Sequence, residues 1–246
     1  MTSILCIETS TEVCSVALSY DGCVEAIRED KSGKNHAQLL TGFVDEVMQE
    51  KKMTFDTLDA IAISSGPGSY TGLRIGVSTA KGLCYAACLP LIAISSLEAM
   101  TDHIIKNRKL YGLGEIQSYL YCPMIDARRM EVYAAIYNHE LSMVRGVQAD
   151  VVDHSSYSSL LASHKLLFFG NGADKCRTTI QNPNAIFLEQ ITTSASHMAE
   201  LALKAFLSGK IEDVAYFEPY YLKDFVATVP TKNIYHAKKE INSPEE

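Results

Sequence analysis

The sequence lacks an excess of basic residues. It contains 22 lysines and arginines against 29 aspartates and glutamates, which gives a formal net charge of -7. A protein that binds nucleic acid by itself neutralises phosphates with a basic surface, so this balance argues against unaided binding of nucleic acid. The balance does not exclude a partner that binds the nucleic acid.

Long apolar runs and paired cysteines are also missing. No apolar run approaches the ~20 residues that span a bilayer, and the N-terminus lacks a basic stretch followed by an apolar core. The seven cysteines are an odd number without the close paired spacing of a zinc site. Most lie inside apolar runs, where cysteine packs as a small hydrophobic residue. We therefore expect a reduced, cytoplasmic protein without a membrane segment.

The most informative stretch is residues 61–83, where an apolar run enters a Gly-Pro-Gly turn and small residues follow at helical spacing. This order predicts a strand, a tight turn and a helix. Gly72, Gly76, Ala80 and Leu83 fall on one side of that helix. Glycine inside a helix costs roughly 0.5–1 kcal/mol relative to alanine, so the pattern predicts the close approach of another backbone.

The opposite side of this helix mixes an aromatic residue, aliphatic residues and two cations. Such a side is typical of a contact surface, and equally of a helix buried between its own sheet and a neighbouring helix. Its residues are Tyr70, Leu73, Arg74, Val77, Lys81 and Cys84.

The periodicity around this stretch predicts two α/β lobes. The first opens with three hairpin strands and continues as helix, strand, helix, strand and helix. The second opens with another hairpin at 120–137, followed by a polar stretch, a helix at 155–163, a strand at 166–169 and a final helix. We divide the chain into a lobe at 1–102, a lobe at 103–226 whose helix at 194–208 is able to pack back on the first lobe, and a polar tail at 227–246.

Four motifs in this order resemble the bacterial TsaB (YeaZ) family. They lie at 4–10, 36–40, 65–76 and 126–133, and the likeness extends to about residue 222. The Gly-Pro-Gly block is highly specific, whereas the other motifs are weak alone. The resemblance implies an actin-like (ASKHA) α/β fold of two lobes, each a mixed sheet flanked by helices.

The resemblance also implies a role in making N6-threonylcarbamoyladenosine on the tRNA adenosine beside the anticodon. In this family the TsaB-like protein is generally not the catalyst: it pairs with a paralogue, TsaD, which holds the metal and transfers the threonylcarbamoyl group. A small ATPase, TsaE, joins the assembly. We accordingly expect a non-catalytic subunit that forms a heterodimer with a TsaD-like paralogue, recruits a TsaE-like ATPase, meets tRNA only through the complex and forms a homodimer when alone.

The central helix is the expected docking element, helped by the helix that begins near His36. Its expected partner-binding residues are Tyr70, Gly72, Leu73, Arg74, Gly76, Val77, Ala80, Lys81 and Cys84.

The histidines and serines do not form a recognisable catalytic or metal site. The catalytic paralogue needs two histidines one helical turn apart, whereas His36 is followed four residues later by Leu40. A lone histidine at a helix start is more often a capping or packing residue. Ser69 lies in Gly-Pro-Gly-Ser-Tyr and not in the Gly-x-Ser-x-Gly elbow of serine hydrolases. We predict no catalytic residue and no metal ligand.

Nucleotide binding is predicted to be degenerate. The central glycines lack the Gly-Lys-Ser/Thr that ends a P-loop. Actin-like ATPases hold phosphates between hairpins of both lobes, which the resemblance puts at 8–11 and 126–129, but these turns are poor in glycine. We expect no cofactor beyond weak or shared binding of ATP or ADP in the complex. The degenerate candidates are Glu8, Thr9, Ser10, Gly170 and Gly172.

Two other functions stay open at this point. An independent ATP-dependent transferase or kinase of the actin-like superfamily would bind ATP and magnesium without a partner. A direct tRNA-binding module would need a local basic patch, for which Lys31, Lys34, Lys51 and Lys52 are the candidates.

Overall fold

The structure is a computed structural model that describes residues 1–33 and 35–222. The strands are β1 (Ser3–Glu8), β2 (Cys14–Tyr20), β3 (Cys23–Asp30), β4 (Ala60–Gly66), β5 (Leu91–Ser95), β6 (Tyr119–Asp126), β7 (Glu131–Tyr137), β8 (Met143–Val151), β9 (Lys165–Phe169) and β10 (Ala185–Phe187). The helices are α1 (His36–Glu50), α2 (Tyr70–Ala87), α3 (Ser96–Lys106), α4 (Ser158–Leu161) and α5 (Ala199–Leu207). The tail predicted at 227–246, and residues 223–226 before it, lie outside the described residues.

The two sheets repeat one topology. The first has the order β3-β2-β1-β4-β5, and the second, taken from the equivalent edge, has the order β8-β7-β6-β9-β10. Strand β1 pairs antiparallel with β2 and parallel with β4. In the same way, β6 pairs antiparallel with β7 and parallel with β9. This repetition agrees with the duplication suggested by the two hairpin openings. It confirms the predicted actin-like fold of two lobes with mixed sheets.

Helices cover both faces of the first sheet, so the side chains of strand β1 are buried on both sides. Its side chains alternate, so Leu5 and Ile7 face the side of α1 and α2, whereas Ile4 and Cys6 face the side of α5. Full burial of a leucine or isoleucine side chain contributes about 1.5–3 kcal/mol. The strand is therefore the centre of the first lobe.

Helix α5 belongs physically to the first sheet, although it comes near the end of the described chain. Met198, Ala202 and Ala205 pack in one apolar cluster with Ile4 and Cys6 of β1. The first lobe is thus built from both ends of the chain. Helix α3 crosses between the lobes and contacts β5 and β6, and the division predicted at 102/103 falls inside it.

Helix α2 has a defined start and end. The Ser69 hydroxyl accepts a hydrogen bond from the Gly72 N–H at 3.3 Å, which caps the first turn. Cys88 ends the helix with a left-handed backbone (φ 52°). Neither α2 nor any other helix in the described part of the chain is both long enough and apolar enough to cross a membrane.

Three elements of the second lobe differ from the prediction. β8 and β10 were not predicted, because β8 is an edge strand with no buried residue and β10 has only 3 residues. An edge strand of this kind carries no apolar alternation in its sequence. The helix predicted at 155–163 shortens to α4, which follows Tyr157 in a left-handed conformation (φ 63°).

Candidate functional site

The turn after β1 lies directly beneath the first turns of α2. A Cβ on Gly68 would lie 2.1 Å from the Ser10 carbonyl oxygen, and a Cβ on Gly72 would lie 2.2 Å from the Thr9 carbonyl oxygen. A Cβ on Gly76 would lie 2.1 Å from Thr9 Oγ1. Only glycine permits this contact. The predicted close approach of a backbone is confirmed, and the backbone is the chain's own.

The candidate phosphate-binding residues of the first lobe are enclosed by this packing. Glu8, Thr9 and Ser10 are 1%, 0% and 0% exposed. Glu8 Oε1 accepts a hydrogen bond from the Ser10 N–H at 2.6 Å, and burial raises the pKa of the Glu8 carboxyl against the opposing effect of its hydrogen bonds. The hydroxyls of Thr9 and Ser10 have no hydrogen-bond partner among the described residues, yet neither reaches solvent.

The glycine candidates of the second lobe are also used for packing. A Cβ on Gly170, whose φ is +101°, would lie 2.3 Å from the Met124 carbonyl oxygen. A Cβ on Gly172 would lie 2.8 Å from the Ile125 carbonyl carbon, and the Gly172 N–H donates to the Met124 carbonyl at 3.0 Å. Glu8, Thr9 and Ser10 are enclosed and do not fit a phosphate, and the space at Gly170 and Gly172, expected beside an adenosine, is filled by the backbone of Met124 and Ile125. We assign no step to a nucleotide there.

Asn171, in the turn after β9, links the two hairpin turns that would flank a nucleotide. The Asn171 amide nitrogen donates to Glu12 Oε2 at 2.6 Å, and its oxygen accepts from the Asp126 N–H at 3.0 Å. Nearby, the hydroxyls of Thr11 and Thr193 lie 2.7 Å apart. The lobes are therefore closed on each other at this edge.

Most of the predicted partner-binding residues lie inside the molecule, which corrects the assignment of surfaces on α2. Leu73, Val77 and Cys84 were assigned to the contact side, but they pack toward the sheet. The two rows of side chains that we predicted on opposite sides of α2 are instead adjacent. Together they form one wide buried face of the helix. The six buried residues are Gly72, Leu73, Gly76, Val77, Ala80 and Cys84.

Tyr70, Arg74 and Lys81 reach the surface of α2. Arg74 donates to the Tyr70 hydroxyl at 2.9 Å, and its guanidinium carbon lies 5.3 Å from the centre of the Tyr70 ring. The centre of the Tyr221 ring lies 5.0 Å from that of the Tyr70 ring. Arg74 is exposed and Tyr70 and Lys81 are half-buried. These three residues are the part of the predicted set that is not buried in the described structure.

Two further surface glycines on the helices were not singled out from the sequence. A Cβ on Gly82 of α2 or on Gly42 of α1 would meet nothing within 4 Å. Neither glycine is required by the packing of residues 1–33 and 35–222, although each weakens its helix. On α2, Gly82 shares the exposed surface with Thr71, Ser78 and Tyr85, and Tyr85 is 84% exposed.

The histidine at the start of α1 has a packing role, as predicted. His36 Nε2 lies 3.0 Å from the Thr11 carbonyl oxygen and 3.2 Å from that of Val13, so its N–H fastens the turn after β1. Within residues 1–33 and 35–222, no three His, Cys, Asp or Glu side chains are grouped to hold a metal ion.

The candidate basic patch is partly neutralised. Lys51 pairs with Glu25 at 3.2 Å, and Lys31 lies 3.9 Å from Glu29. Lys34 lies outside the described residues. The positive charge of this patch that is not paired with glutamate is weak support for direct binding of tRNA.

A polar cavity of about 220 Å³ opens where α3 meets the segment that leads into α5. Glu29, Lys31, His103, Tyr111 and His197 form part of its wall. His103 Nε2 lies 2.8 Å from the Tyr111 hydroxyl, and burial lowers the pKa of both histidines. Sequence reasoning did not find this cluster, because its members are far apart along the chain.

Comparison with known proteins agrees with this architecture. The family described as TsaD, tRNA N6-adenosine threonylcarbamoyltransferase, matches residues 27–231. The tRNA threonylcarbamoyladenosine biosynthesis protein TsaB of Escherichia coli (strain K12) is 31% identical over 232 residues, which cover 91% of this chain and 96% of that protein. The TsaB protein of Bacillus subtilis (strain 168) is 30% identical over 226 residues, covering 90% of this chain and 94% of that protein.

A solved structure extends the comparison to three dimensions. It is the crystal structure of an uncharacterized protein with similarity to peptidase YEAZ from Pseudomonas aeruginosa, with a TM-score of 0.78 and 26% identity. The match covers 91% of this chain and 100% of that one. This chain belongs to the TsaB family, within the wider group that the TsaD family describes.

Proposed function

We propose that this chain acts in tRNA threonylcarbamoyladenosine biosynthesis as a non-catalytic subunit. It forms a heterodimer with a TsaD-like transferase, which performs the chemistry, and the pair recruits a TsaE-like ATPase. Without the transferase the chain forms a homodimer, and it meets tRNA only through the complex. Membership of the TsaB family supports the pathway, and the geometry of the chain supports the division of roles.

One observation carries the non-catalytic role: the turn after β1 is packed under α2. In an actin-like enzyme this turn has to present donors to a phosphate. Here the carbonyl of Thr9 fills the space beside Gly72, and Glu8 and Ser10 are enclosed. Binding a phosphate would require the chain to break the contact that its own glycines permit.

The docking surface we propose is the outer face of α2 together with that of α1. Arg74 and Tyr85 supply the residue types that dominate binding energy at interfaces. Gly82 and Gly42 leave open space on these two faces, which allows a partner's backbone to approach closely. The same outer faces of α1 and α2 would form the homodimer. A second copy of the chain would cover them when the transferase is absent, as the transferase does in the heterodimer.

Reconstitution of tRNA modification tests the proposed role. The chain is assayed alone, the TsaD-like transferase and TsaE-like ATPase are assayed without it, and all are then combined. We expect modification only in the complete mixture. Modification by this chain alone would overturn the non-catalytic role. Titration with ATP and magnesium tests the alternative of an independent ATP-dependent transferase or kinase, for which tight binding without a partner is required.

Surface variants test the docking helix separately. Arg74→Glu combined with Ser78→Arg reverses charge and size on the exposed face without touching the core. Lys204→Glu, at an exposed position of α5, is the control. We expect the first variant to lose co-purification with the transferase and the control to retain it. Equal recovery of both variants would reject α2 as the docking element.

A further inference from the structure

The last part of the described chain, residues 212–222, runs along α2 from its end to its start. Glu212 N–H donates to the Leu91 carbonyl at 2.8 Å, at the strand that follows α2. Tyr220 N–H donates to the Ser65 carbonyl at 2.8 Å, at the strand that precedes α2. We call residues 212–222 the closing segment.

Lys81 holds the middle of the closing segment against α2 through two hydrogen bonds. Its ammonium group donates to the Ala215 carbonyl at 3.1 Å and to the Phe217 carbonyl at 3.0 Å. Hydrogen bonds from a charged donor are roughly twice as strong as neutral ones. Lys81 is half-buried, and two of the three donors of its ammonium group are used within the chain. It is therefore poorly suited to contact a partner directly, although the sequence predicted that role.

The closing segment turns its apolar and aromatic side chains in different directions. Val214 and Phe217 pack on the core of the first lobe. Tyr216 is 84% exposed, Tyr220 is 50% exposed and Tyr221 is 38% exposed. Tyrosine is enriched at protein interfaces, because it gives a large contact area and loses little side-chain entropy. The segment thus adds tyrosines beside the exposed face of α2 without covering Arg74.

We propose that Lys81 is a positioning residue for the partner-binding surface. It holds the closing segment on α2, and the tyrosines of that segment then contact the TsaD-like transferase together with α2. The inference rests on the proposed function and names a second part of the same surface. The residue acts through the chain's own carbonyls and does not touch the partner.

Lys81→Met tests this role, because methionine keeps the apolar stem and removes the donors. Lys81→Arg restores donors, and Lys204→Met on α5 is the matched control. Hydrogen exchange of residues 212–222 and the Kd for the transferase are measured for each variant. We expect Lys81→Met to speed exchange in the closing segment and to weaken binding by about tenfold or more, with partial recovery in Lys81→Arg.

Tyr216→Ser distinguishes the contact with the transferase from the attachment of the closing segment to α2. It changes one exposed side chain, so we expect weaker binding with unchanged exchange. Unchanged exchange in Lys81→Met, or unchanged or tighter binding by either variant, would overturn the inference while leaving the docking of α2 intact. If the wild-type chain does not bind the transferase, the proposed function fails and this inference fails with it.

Discussion

The imidazole rings of His103 and His197 lie face to face, with their centres 3.8 Å apart and their planes 25° from parallel. His103 is on α3 and His197 is in the turn before α5, so the pair joins the two connections between the lobes. Burial, together with the electrostatic effects of the neighbouring His103 and Lys31, lowers the pKa of His197 to about 3. Burial also lowers the pKa of His103, against the opposing effect of Asp102. Both rings are neutral at pH 7.

We predict that this pair makes the protein sensitive to acid. The ordinary pKa of histidine is 6.5, so between pH 6.5 and about 3 the unfolded chain binds a proton at His197 that the folded chain does not. Stability is therefore fully present above pH 6.5 and falls as the pH is lowered, by at most about 1.4 kcal/mol per pH unit for this group. Urea unfolding at several pH values across this range should show a free energy of unfolding that depends less steeply on pH for His197→Asn than for wild type.

Alanine should have opposite effects at two glycines of α2. Gly72→Ala forces a methyl group onto the Thr9 carbonyl and should lower the free energy of unfolding by about 1–3 kcal/mol or more. Gly82→Ala meets nothing within 4 Å and should raise it by up to about 1 kcal/mol. Urea unfolding of the isolated chain measures both. Equal stability of the two variants would contradict the packing described here.

The cysteines should fall into two classes of reactivity. Burial raises the pKa of Cys6 and Cys84 to about 12 and that of Cys176 to about 11, and a buried thiol does not form the reactive thiolate. Cys23 and Cys88 are exposed. We expect iodoacetamide to modify only these two in the native protein and the other five after unfolding, as measured by peptide mass. Rapid native labelling at Cys6 would contradict the structure.

A hydrogen-bonded cluster in the second lobe should contribute to stability. Asp150 Oδ2 accepts from Arg145 and from the Tyr157 hydroxyl, each at 2.5 Å. Tyr157→Phe removes one of these donors in a buried setting and should cost about 1–3 kcal/mol. Exposed Tyr216→Phe is the control and should change stability little. Thermal unfolding of both variants decides the matter, and an unchanged melting temperature for Tyr157→Phe would refute the contribution.

The turn before α2 and the helix itself could be predicted from the sequence. The residues that pack against the helix could not. The turn, the helix and the close approach at Gly72 follow from local chemistry, since a Cβ is excluded wherever a backbone lies so near. That the backbone belongs to Thr9, far away along the chain, depends on how β1 and β4 pair. The same limit explains why Leu73 and Val77 were assigned to a contact surface. An apolar side chain at helical spacing serves a core and an interface equally well.

The cluster at His103 and His197 marks the other limit of sequence reasoning. Neither histidine has a partner at a recognisable spacing, and they meet only because α3 and the segment before α5 cross. Glu8 and Ser10 were found as candidates from their likeness to a phosphate-binding turn. Ser10 packs against Gly68, far away along the chain, and no local pattern reveals that Glu8 and Ser10 are both buried.

The construction of the first lobe from both ends of the chain has a consequence for synthesis on the ribosome. The face of the first sheet that carries Ile4 and Cys6 is covered by Met198 and Ala202, which are translated long after them. Until those residues have left the ribosome, the nascent first lobe presents an apolar sheet face to solvent and to chaperones. The lobe that begins first is therefore completed last, and a ribosome stalled before α5 holds a chain that cannot finish the core of that lobe.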